Sequence, residues 1–331
     1  MITLEQSKYA TLRKMLVVAG VVVFTGVTFP VSAEGPKSTG LVTAAEHPLA
    51  DPFIYHENGV YYAYGTAVPD SEGIPVMTSS DLVHWRPKAG KAKGALALSK
   101  ADSFGSKWFW SPYVYKDGNR YVMSYSANER IALAFADTPL GPFRQTEKKP
   151  LFDFGAISGT LFWDEDGRVW MFMAKFDRGN VVYQVELEKD LSAAKPETMR
   201  RLFGATEPWE LRFPGEFVTE APSINRIGDV YVLTYTANNY KDQDYALGIA
   251  TAKSIHGPWT KYHGNPVMLR YGRYVGTGCN TFFKDVNGQW KSVFHSHHSL
   301  GRVSPRKMHV VDVEWKMDGN APVPVFGREV K

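Results

Sequence analysis

Apolar and polar residues alternate in short runs along most of the chain, and polar turns with glycine separate the runs. In ADPFIYHENGVYYAYGT (residues 50–66), the turn HENG stands between two β-rich runs. Asn, Asp and Gly supply the positive φ that tight hairpin turns need. Long helical periodicity is missing, and only ELEKDLSAA (186–194) resembles a helical turn. The pattern predicts an all-β protein built from antiparallel hairpins.

The hairpins belong to a unit that recurs five times, at intervals of about 50 to 60 residues. A third run ending in Gly-Pro-aromatic follows some of them, most clearly in residues 131–143 and 245–259. Such units bury their faces by stacking around an axis, which predicts a five-bladed β-propeller. A β-sandwich is the alternative, but it does not explain the recurring order. The five repeats begin at Asp51-Pro52, Ser111-Pro112, Ser158-Gly159, Glu220-Ala221 and Cys279-Asn280.

The first residues of the repeats are the candidates for chemistry. In a propeller the innermost strands line the central channel, so their starts converge near one end of the axis. Asp51 and Glu220 bring carboxylates to this point, whereas Ser158 brings a hydroxyl. Two carboxyl groups facing an open funnel suggest acid–base chemistry on a bound substrate. The alternative is that each carboxylate caps a turn or pairs with an arginine.

The composition indicates which classes of ligand the protein is expected to bind. Aromatic residues make up 14% of the 331 residues, which suits β-sheets and sugar-binding surfaces. The net charge is +4 and no basic run lies outside the N-terminus, so a nucleic-acid partner is not expected. Cys279 is the only cysteine, which excludes a disulfide within the chain and a zinc site made of several thiolates.

The N-terminus has the pattern of an export signal. Lys8, Arg13 and Lys14 precede an apolar run at residues 15–29, and a small-x-small pattern ends at Ala33. We expect residues 1–33 to be a signal peptide, 34–44 a linker and 45–331 a single propeller domain. The protein would then be secreted or periplasmic, monomeric and without stable membrane association. A membrane anchor is the alternative, but the apolar run is short for a spanning helix.

Several stretches together resemble glycoside hydrolase family 43, whose members are five-bladed propellers that act mainly on arabinose- and xylose-containing glycans. The resemblance covers residues 45–320. The stretches are ADPFIYHENGVYYAYGT, FWSPYVYKDGNRYVMSYSA, IALAFADTPLGPF, TEAPSINRIGDVYVLTYTA and VFHSHHS followed by PRKMHVVDVEW.

The resemblance implies roles for three positions. Asp51 matches the general base that activates water, and Glu220 matches the general acid that protonates the leaving oxygen. The family's third acidic residue is an aspartate that tunes the pKa of the acid. Ser158 stands at that position, in ISGTLF. The serine is either a natural variant or a substitution introduced to impair the enzyme.

Other residues are candidates for binding the sugar. Trp110 is the best stacking surface, unless it is a core residue between blades. Phe53 shares the strand face of Asp51, and Asn280 offers a polar contact. Arg306 matches a family arginine that reaches the substrate, with a surface ion pair as the alternative. His295 is expected near the channel, where it hydrogen-bonds substrate or neighbouring strands.

No cofactor is expected to be required. In the resembled family, the glycine-rich turn matching GTGCN often carries a histidine that helps to hold a central cation, and Cys279 replaces it here. A structural calcium is therefore doubtful. A zinc site at His295 and His297 is the other possibility, but the sequence shows no third ligand.

Together these features predict an inverting glycoside hydrolase that removes terminal α-L-arabinofuranosyl groups from an oligosaccharide or polysaccharide. A β-xylosidase or galactosidase of the same fold is the next candidate. A retaining propeller enzyme and a catalytically silent carbohydrate-binding propeller are the remaining alternatives.

Overall fold

Antiparallel hairpins make up nearly all of the structure, as the alternating pattern predicted. The structure is a computed structural model that describes residues 41–43, 48–67 and 69–331. Among these residues the only helices are three single 3₁₀ turns, at Lys93–Ala95, Pro196–Thr198 and Pro208–Glu210. None is long and apolar enough to span a bilayer. The segment 186–194 is not helical.

Five sheets form the five blades, which confirms the predicted propeller. Within each blade, neighbours in sequence pair antiparallel. Blade 1 contains β2 (Ala50–Glu57), β3 (Val60–Thr66) and β5 (Val76–Ser79); blade 2 contains β8 (Trp110–Asp117), β9 (Arg120–Ala127) and β10 (Arg130–Ala136); blade 3 contains β11 (Ala156–Trp163), β12 (Val169–Phe176), β13 (Asn180–Leu187) and β14 (Arg200–Phe203); blade 4 contains β15 (Thr219–Ile227), β16 (Val230–Ala237), β17 (Ala246–Ala252) and β18 (Thr260–Lys261); blade 5 contains β19 (Gly278–Lys284), β20 (Trp290–Ser296), β21 (Lys307–Asp318) and β22 (Ala321–Glu329).

Short strands complete the edge of blade 1. β1 (Val42–Thr43) pairs with β6 (His84–Trp85), and β4 (Gly73–Ile74) pairs with β7 (Leu98–Ser99). Val42 and Thr43, within the expected linker, thus pair with a strand of the propeller. The predicted signal peptide, residues 1–33, lies outside the described residues.

The hydrophobic core lies between neighbouring blades rather than in one central cluster. Tyr64 of blade 1 packs with Tyr125 of blade 2, and Phe172 of blade 3 packs with Leu233 of blade 4. Another cluster joins blade 5 to blade 1. Because strand side chains alternate between the two faces, each blade presents an apolar face to both neighbours. Stacking the blades buries these faces and leaves the ends of the channel to polar residues.

Each innermost strand carries a β-bulge at its start. In β2, Ala50 faces Thr66 but Phe53 faces Tyr64, so one extra residue is inserted. The other four innermost strands show the same register shift. The second residue of each bulge has a positive φ between 44° and 57°. These residues are Asp51, Ser111, Ser158, Ala221 and Cys279.

The position of the bulge shows that the alignment of the fourth repeat from the sequence was displaced by one residue. Ala221, not Glu220, is equivalent to Asp51, and Glu220 lies one residue earlier, opposite Thr236. The prolines after the bulge residues of blades 1 and 4, Pro52 and Pro222, were the sequence signal for the correct register. The two carboxylates therefore project from different positions along their strands.

Hydrogen bonds between blades hold the bulges in place. In four blades the bulge N–H donates to a side chain on the second strand of the preceding blade. The exception is the bulge of blade 4, at Ala221. The corresponding residue on the second strand of blade 3 is Ala174, which has no side-chain acceptor. The four bonds are Ser111 to Thr66 Oγ1 (3.1 Å), Ser158 to Ser126 Oγ (3.0 Å), Cys279 to Thr236 Oγ1 (3.0 Å) and Asp51 to His295 Nδ1 (3.1 Å).

Candidate active site

A cavity of about 500 Å³ opens where the five bulges meet. Its wall includes five residues selected from the sequence, one from each blade: Asp51, Trp110, Ser158, Glu220 and Arg306. Pockets for small ligands span roughly 300–1,000 Å³. The cavity is therefore large enough for a sugar.

Asp51 lies at the end of the cavity formed by blades 1 and 5. Its Oδ1 accepts a hydrogen bond from Arg306 Nη1 (2.8 Å), and its Oδ2 accepts one from Thr66 Oγ1 (2.6 Å). Burial alone would raise the pKa of Asp51, but Arg306, His295 and the Thr66 hydroxyl outweigh it and lower the pKa. Asp51 is therefore an ionised carboxylate, as a general base must be.

Glu220 lies at the end formed by blades 3 and 4. Its Oε1 accepts a hydrogen bond from the Tyr245 hydroxyl, and its Oε2 accepts one from Asn180 Nδ2, both at 2.8 Å. Burial is the main cause that raises the pKa of Glu220, and the charge of Asp51 adds to it. The donors and Arg306 oppose this shift without cancelling it. The raised pKa favours the protonated form, as a general acid requires.

The segment before Glu220 fixes Asn180. The Asn180 N–H donates to the Phe217 carbonyl (2.8 Å), and the Thr219 hydroxyl donates to the Asn180 carbonyl (2.9 Å). These bonds join the start of β13 to the start of β15. Asn180, whose side-chain amide bonds Glu220, is thus held by the segment that leads into β15, the strand that carries Glu220.

Tyr245 reaches Glu220 because Gly278 leaves room for its ring. A Cβ at residue 278 would lie only 2.4 Å from Tyr245 Cε1, so no residue with a side chain fits there while the ring keeps its position. The Tyr245 hydroxyl also lies 3.2 Å from Cys279 Sγ. Burial is the main cause that raises the pKa of both groups far above their usual values. Both are therefore neutral beside the acid.

The remaining predicted binding residues divide into two groups. Trp110 lines the cavity, its Nε1 donates to an oxygen of Asp70, and its ring stacks on Trp108 at 5.6 Å. Arg306 also lines the cavity, and the Tyr240 ring lies 5.1 Å from its guanidinium carbon. These two side chains are accessible from the cavity and stay candidates for binding the sugar.

Phe53, His295 and Asn280 do not line the cavity, and His295 instead accepts a hydrogen bond from the Asp51 N–H of the neighbouring blade, the other role expected of it. Phe53 packs edge-on against the Tyr113 ring. His295 is fully buried behind Asp51, and Asn280 is buried in blade 5 against Ser292. Strand alternation brought each to the correct level of the propeller, but the bulge and the packing of the next blade turned them away from the opening.

Comparisons with known proteins agree with this geometry. The profile described as "Glycosyl hydrolases family 43" matches residues 45–321. The chain belongs to glycosyl hydrolase family 43. It is a glycoside hydrolase with a carbohydrate substrate, and the separate acid and base fit an inverting mechanism.

Relatives of this family 43 protein carry different activities in their names. An endo-1,4-beta-xylanase structure from Bacteroides thetaiotaomicron is 35% identical with a TM-score of 0.80, and the match covers 87% of this chain and 97% of that one. The extracellular endo-alpha-(1->5)-L-arabinanase 1 of Bacillus subtilis is 23% identical, with 86% of each chain covered. The beta-D-galactofuranosidase xynD of Aspergillus niger is 22% identical, with 83% of this chain and 82% of the relative covered.

Ser158, which the resemblance placed at the position of the modulating aspartate, is 2% exposed and lines the cavity. The Glu220 carboxyl receives its hydrogen bonds from Asn180 and Tyr245. The sequence did not single out these two residues, because no motif marks them and only the packing of blades 3, 4 and 5 brings them to the acid.

The residues at the channel do not fit a calcium ion. Ligand atoms of Asp51, Cys279 and His295 lie within 4.8 Å of one another. Calcium prefers six to eight oxygen ligands, whereas this group offers one carboxylate, a thiol and an imidazole. Arg306 Nη1 also lies 2.8 Å from Asp51 Oδ1 and 3.2 Å from His295 Nε2, so a guanidinium already supplies the positive charge.

Proposed function

We propose that this family 43 protein removes terminal α-L-arabinofuranosyl groups with inversion at the anomeric carbon. The observation that carries the proposal is the pair of carboxyl groups that line one cavity, receive separate sets of hydrogen bonds and have opposite pKa shifts. Asp51 would take a proton from water while Glu220 protonates the leaving oxygen. The arabinanase among the relatives supports arabinose as the sugar.

A panel of 4-nitrophenyl glycosides tests the choice of sugar. We expect the highest kcat/KM on α-L-arabinofuranoside and lower values on β-D-xylopyranoside and β-D-galactofuranoside. NMR of the first-formed product should show the inverted anomer, whereas a retaining enzyme would give the same anomer as the substrate. Chromatography of debranched arabinan digests should show the monosaccharide; oligosaccharides alone would indicate an endo-acting enzyme.

A β-xylosidase is the second candidate, and the 35% identity to the structure titled as a xylanase favours it. Highest activity on the xyloside would replace the first candidate by this one. A silent carbohydrate-binding propeller is the alternative if Ser158 is natural and nothing else in the site compensates for the missing carboxylate. In that case the protein and its Ser158→Asp variant would both bind sugar in calorimetry without hydrolysing any glycoside.

We also propose that the site works without calcium, that the protein is monomeric and that it is exported with cleavage after Ala33. The Arg306 guanidinium beside Asp51 supports the first point. Treatment with EDTA should leave kcat unchanged, and added calcium should not raise it. N-terminal sequencing of the secreted protein and its mass by light scattering check the other two points.

A further inference from the structure

The cavity has two chemically different ends. Asp51 receives its donors from blades 1 and 5, through Thr66 and Arg306. Glu220 receives its donors from Asn180 on blade 3 and Tyr245 on blade 4. In an inverting displacement, water attacks from the side of the base and the leaving group departs on the side of the acid. Side chains that line the cavity next to Glu220 and the residues that hold it are therefore on the leaving-group side.

Tyr240 of blade 4 also lines the cavity, but its ring lies beside Arg306, the partner of Asp51; Phe176 is the aromatic side chain next to the residues that hold Glu220. It ends β12 directly opposite Asn180, the residue that holds the acid, and it lines the same cavity. Its side chain is 40% exposed although it is large and apolar. An exposed aromatic face beside a sugar site is a surface on which a sugar ring stacks.

The position of the Phe176 ring is fixed by its neighbours. Its N–H donates to the Gly155 carbonyl (3.0 Å). A Cβ at residue 155 would lie only 2.7 Å from Phe176 Cδ2, so the glycine allows the ring to lie over the backbone. The ring is thus held at the mouth of the cavity before any ligand binds, which reduces the entropy cost of binding.

We propose that Phe176 forms the binding site for the leaving group, by stacking on the first sugar ring beyond the bond that is cleaved. This inference rests on the assignment of Glu220 as the acid, because that assignment defines the leaving-group side. It makes Phe176 a specificity-determining residue that favours oligosaccharide substrates over glycosides with a small leaving group.

The test compares two substrates that share the same terminal sugar. One is an oligosaccharide, and the other is the methyl glycoside, whose leaving group is too small to reach Phe176. In Phe176→Ala, kcat/KM for the oligosaccharide should fall about tenfold, the size expected from a lost stacking contact. For the methyl glycoside it should change less than about twofold. Inhibition by the free monosaccharide should be unchanged, and Phe176→Tyr should restore the oligosaccharide rate.

Phe213→Ala is the matched control. Phe213 is 38% exposed, nearly as much as Phe176, but it does not line the cavity. Its replacement should leave both substrates unaffected. Equal losses on both substrates in Phe176→Ala, or no loss on either, would overturn the proposal.

Calorimetry separates this inference from the proposed function. If the wild-type protein hydrolyses no glycoside, the proposed function fails, but binding still reports on Phe176. The wild-type protein should then bind the oligosaccharide more tightly than the monosaccharide, and Phe176→Ala should lose that difference. A difference retained in Phe176→Ala would show that the ring does not contact the second sugar.

Discussion

At the level of single residues, the surroundings of Asp51 and Glu220 assign opposite roles to two similar groups. Arg306 and Thr66 keep Asp51 ionised at low pH, whereas burial keeps Glu220 protonated to higher pH. Catalysis needs Asp51 ionised and Glu220 protonated. The pH–rate profile should therefore be bell-shaped, with the acidic limb set by Asp51 and the basic limb by Glu220.

Ser158→Asp tests the missing carboxylate. A second negative charge near Glu220 would make its ionised form less favourable, so the basic limb should move to higher pH and the rate at neutral pH should rise. A shift of one pKa unit corresponds to about 1.4 kcal/mol. If the rate and the basic limb stay unchanged, residue 158 is not the modulator position.

Ser111→Asp is the matched control for that variant, because Ser111 occupies the equivalent bulge in blade 2. The Ser111 N–H bonds Thr66, which in turn bonds Asp51, so a carboxylate here lies nearer the base. It should raise the pKa of Asp51 and move the acidic limb, not the basic limb, to higher pH.

Glu220→Gln tests the acid. The amide cannot donate the proton that a sugar leaving group needs, so kcat on oligosaccharides should fall by about 10²–10⁴-fold. Dinitrophenyl glycosides need little protonation and should lose much less. Glu129→Gln, at an exposed carboxylate of the same cavity, is the control and should change neither rate. Equal losses on both substrates in Glu220→Gln would remove Glu220 from the acid role.

At the level of strands, the β-bulge sets the orientation of the side chains around it, including those of Asp51 and Glu220. Asp51 is the positive-φ residue of the bulge in β2, whereas Glu220 lies one residue before the equivalent Ala221, and the two carboxyl groups receive separate sets of donors. Strand alternation predicts which face a side chain shares, but it fails across a bulge. The bulge thus explains why Phe53 and Asn280 were expected at the sugar and lie elsewhere.

A chain of two hydrogen bonds links the last strand, β22, to β21 and β20. Ser296 Oγ lies 2.8 Å from His309 Nε2, and His309 Nδ1 lies 2.7 Å from Glu329 Oε1. The hydrogen bond from His309 lowers the pKa of Glu329 below its usual value. Such a carboxylate stabilises the fold above its unfolded pKa, and that stability is lost as the pH falls through the folded pKa.

Glu329→Gln should therefore lower the free energy of unfolding at pH 7. The difference from wild type should shrink as the pH falls below about 4, near the ordinary pKa of glutamate. Urea unfolding at several pH values measures it. Glu314→Gln removes an exposed carboxylate on β21 and should show no such pH dependence. A difference between Glu329→Gln and wild type that is constant with pH would contradict the assignment to the ionised Glu329 carboxylate.

At the level of the whole molecule, Asp51, the proposed base, also helps to close the ring. Asp51 on blade 1 contacts Arg306 and His295 of blade 5, and an apolar cluster with Ile54 and Val293 packs at the same junction. The Asp51 and Arg306 side chains are 9% and 13% exposed, so their ion pair is shielded from water. Removing one partner would leave the other charge buried and unpaired.

Asp51→Ala should abolish hydrolysis and also lower the free energy of unfolding by about 3 kcal/mol, the cost of breaking a buried ion pair. Glu220→Gln is the control, because its amide can still bond Asn180 and should unfold almost as wild type does. Azide should restore turnover in Asp51→Ala through a glycosyl azide of inverted configuration. Wild-type stability of Asp51→Ala would show that the pair does not close the ring, and full hydrolytic activity would exclude Asp51 as the base.

The sequence by itself determined the all-β class, the five repeats and the identity of the two carboxyl groups. Hairpin turns and strand alternation depend on neighbouring residues, so they can be read locally. The motifs around Asp51, Ser158 and Glu220 were equally local, and they led to the family before any coordinate was known.

Only the tertiary structure decided what surrounds those groups. Arg306 lies 255 positions from Asp51, and Asn180 lies 40 positions from Glu220. These pairs meet because blades stack and the ring closes, which no local pattern records. The pKa of a buried carboxyl group depends on such neighbours and on desolvation. The roles of base and acid therefore became physical properties of the two residues only in the folded propeller.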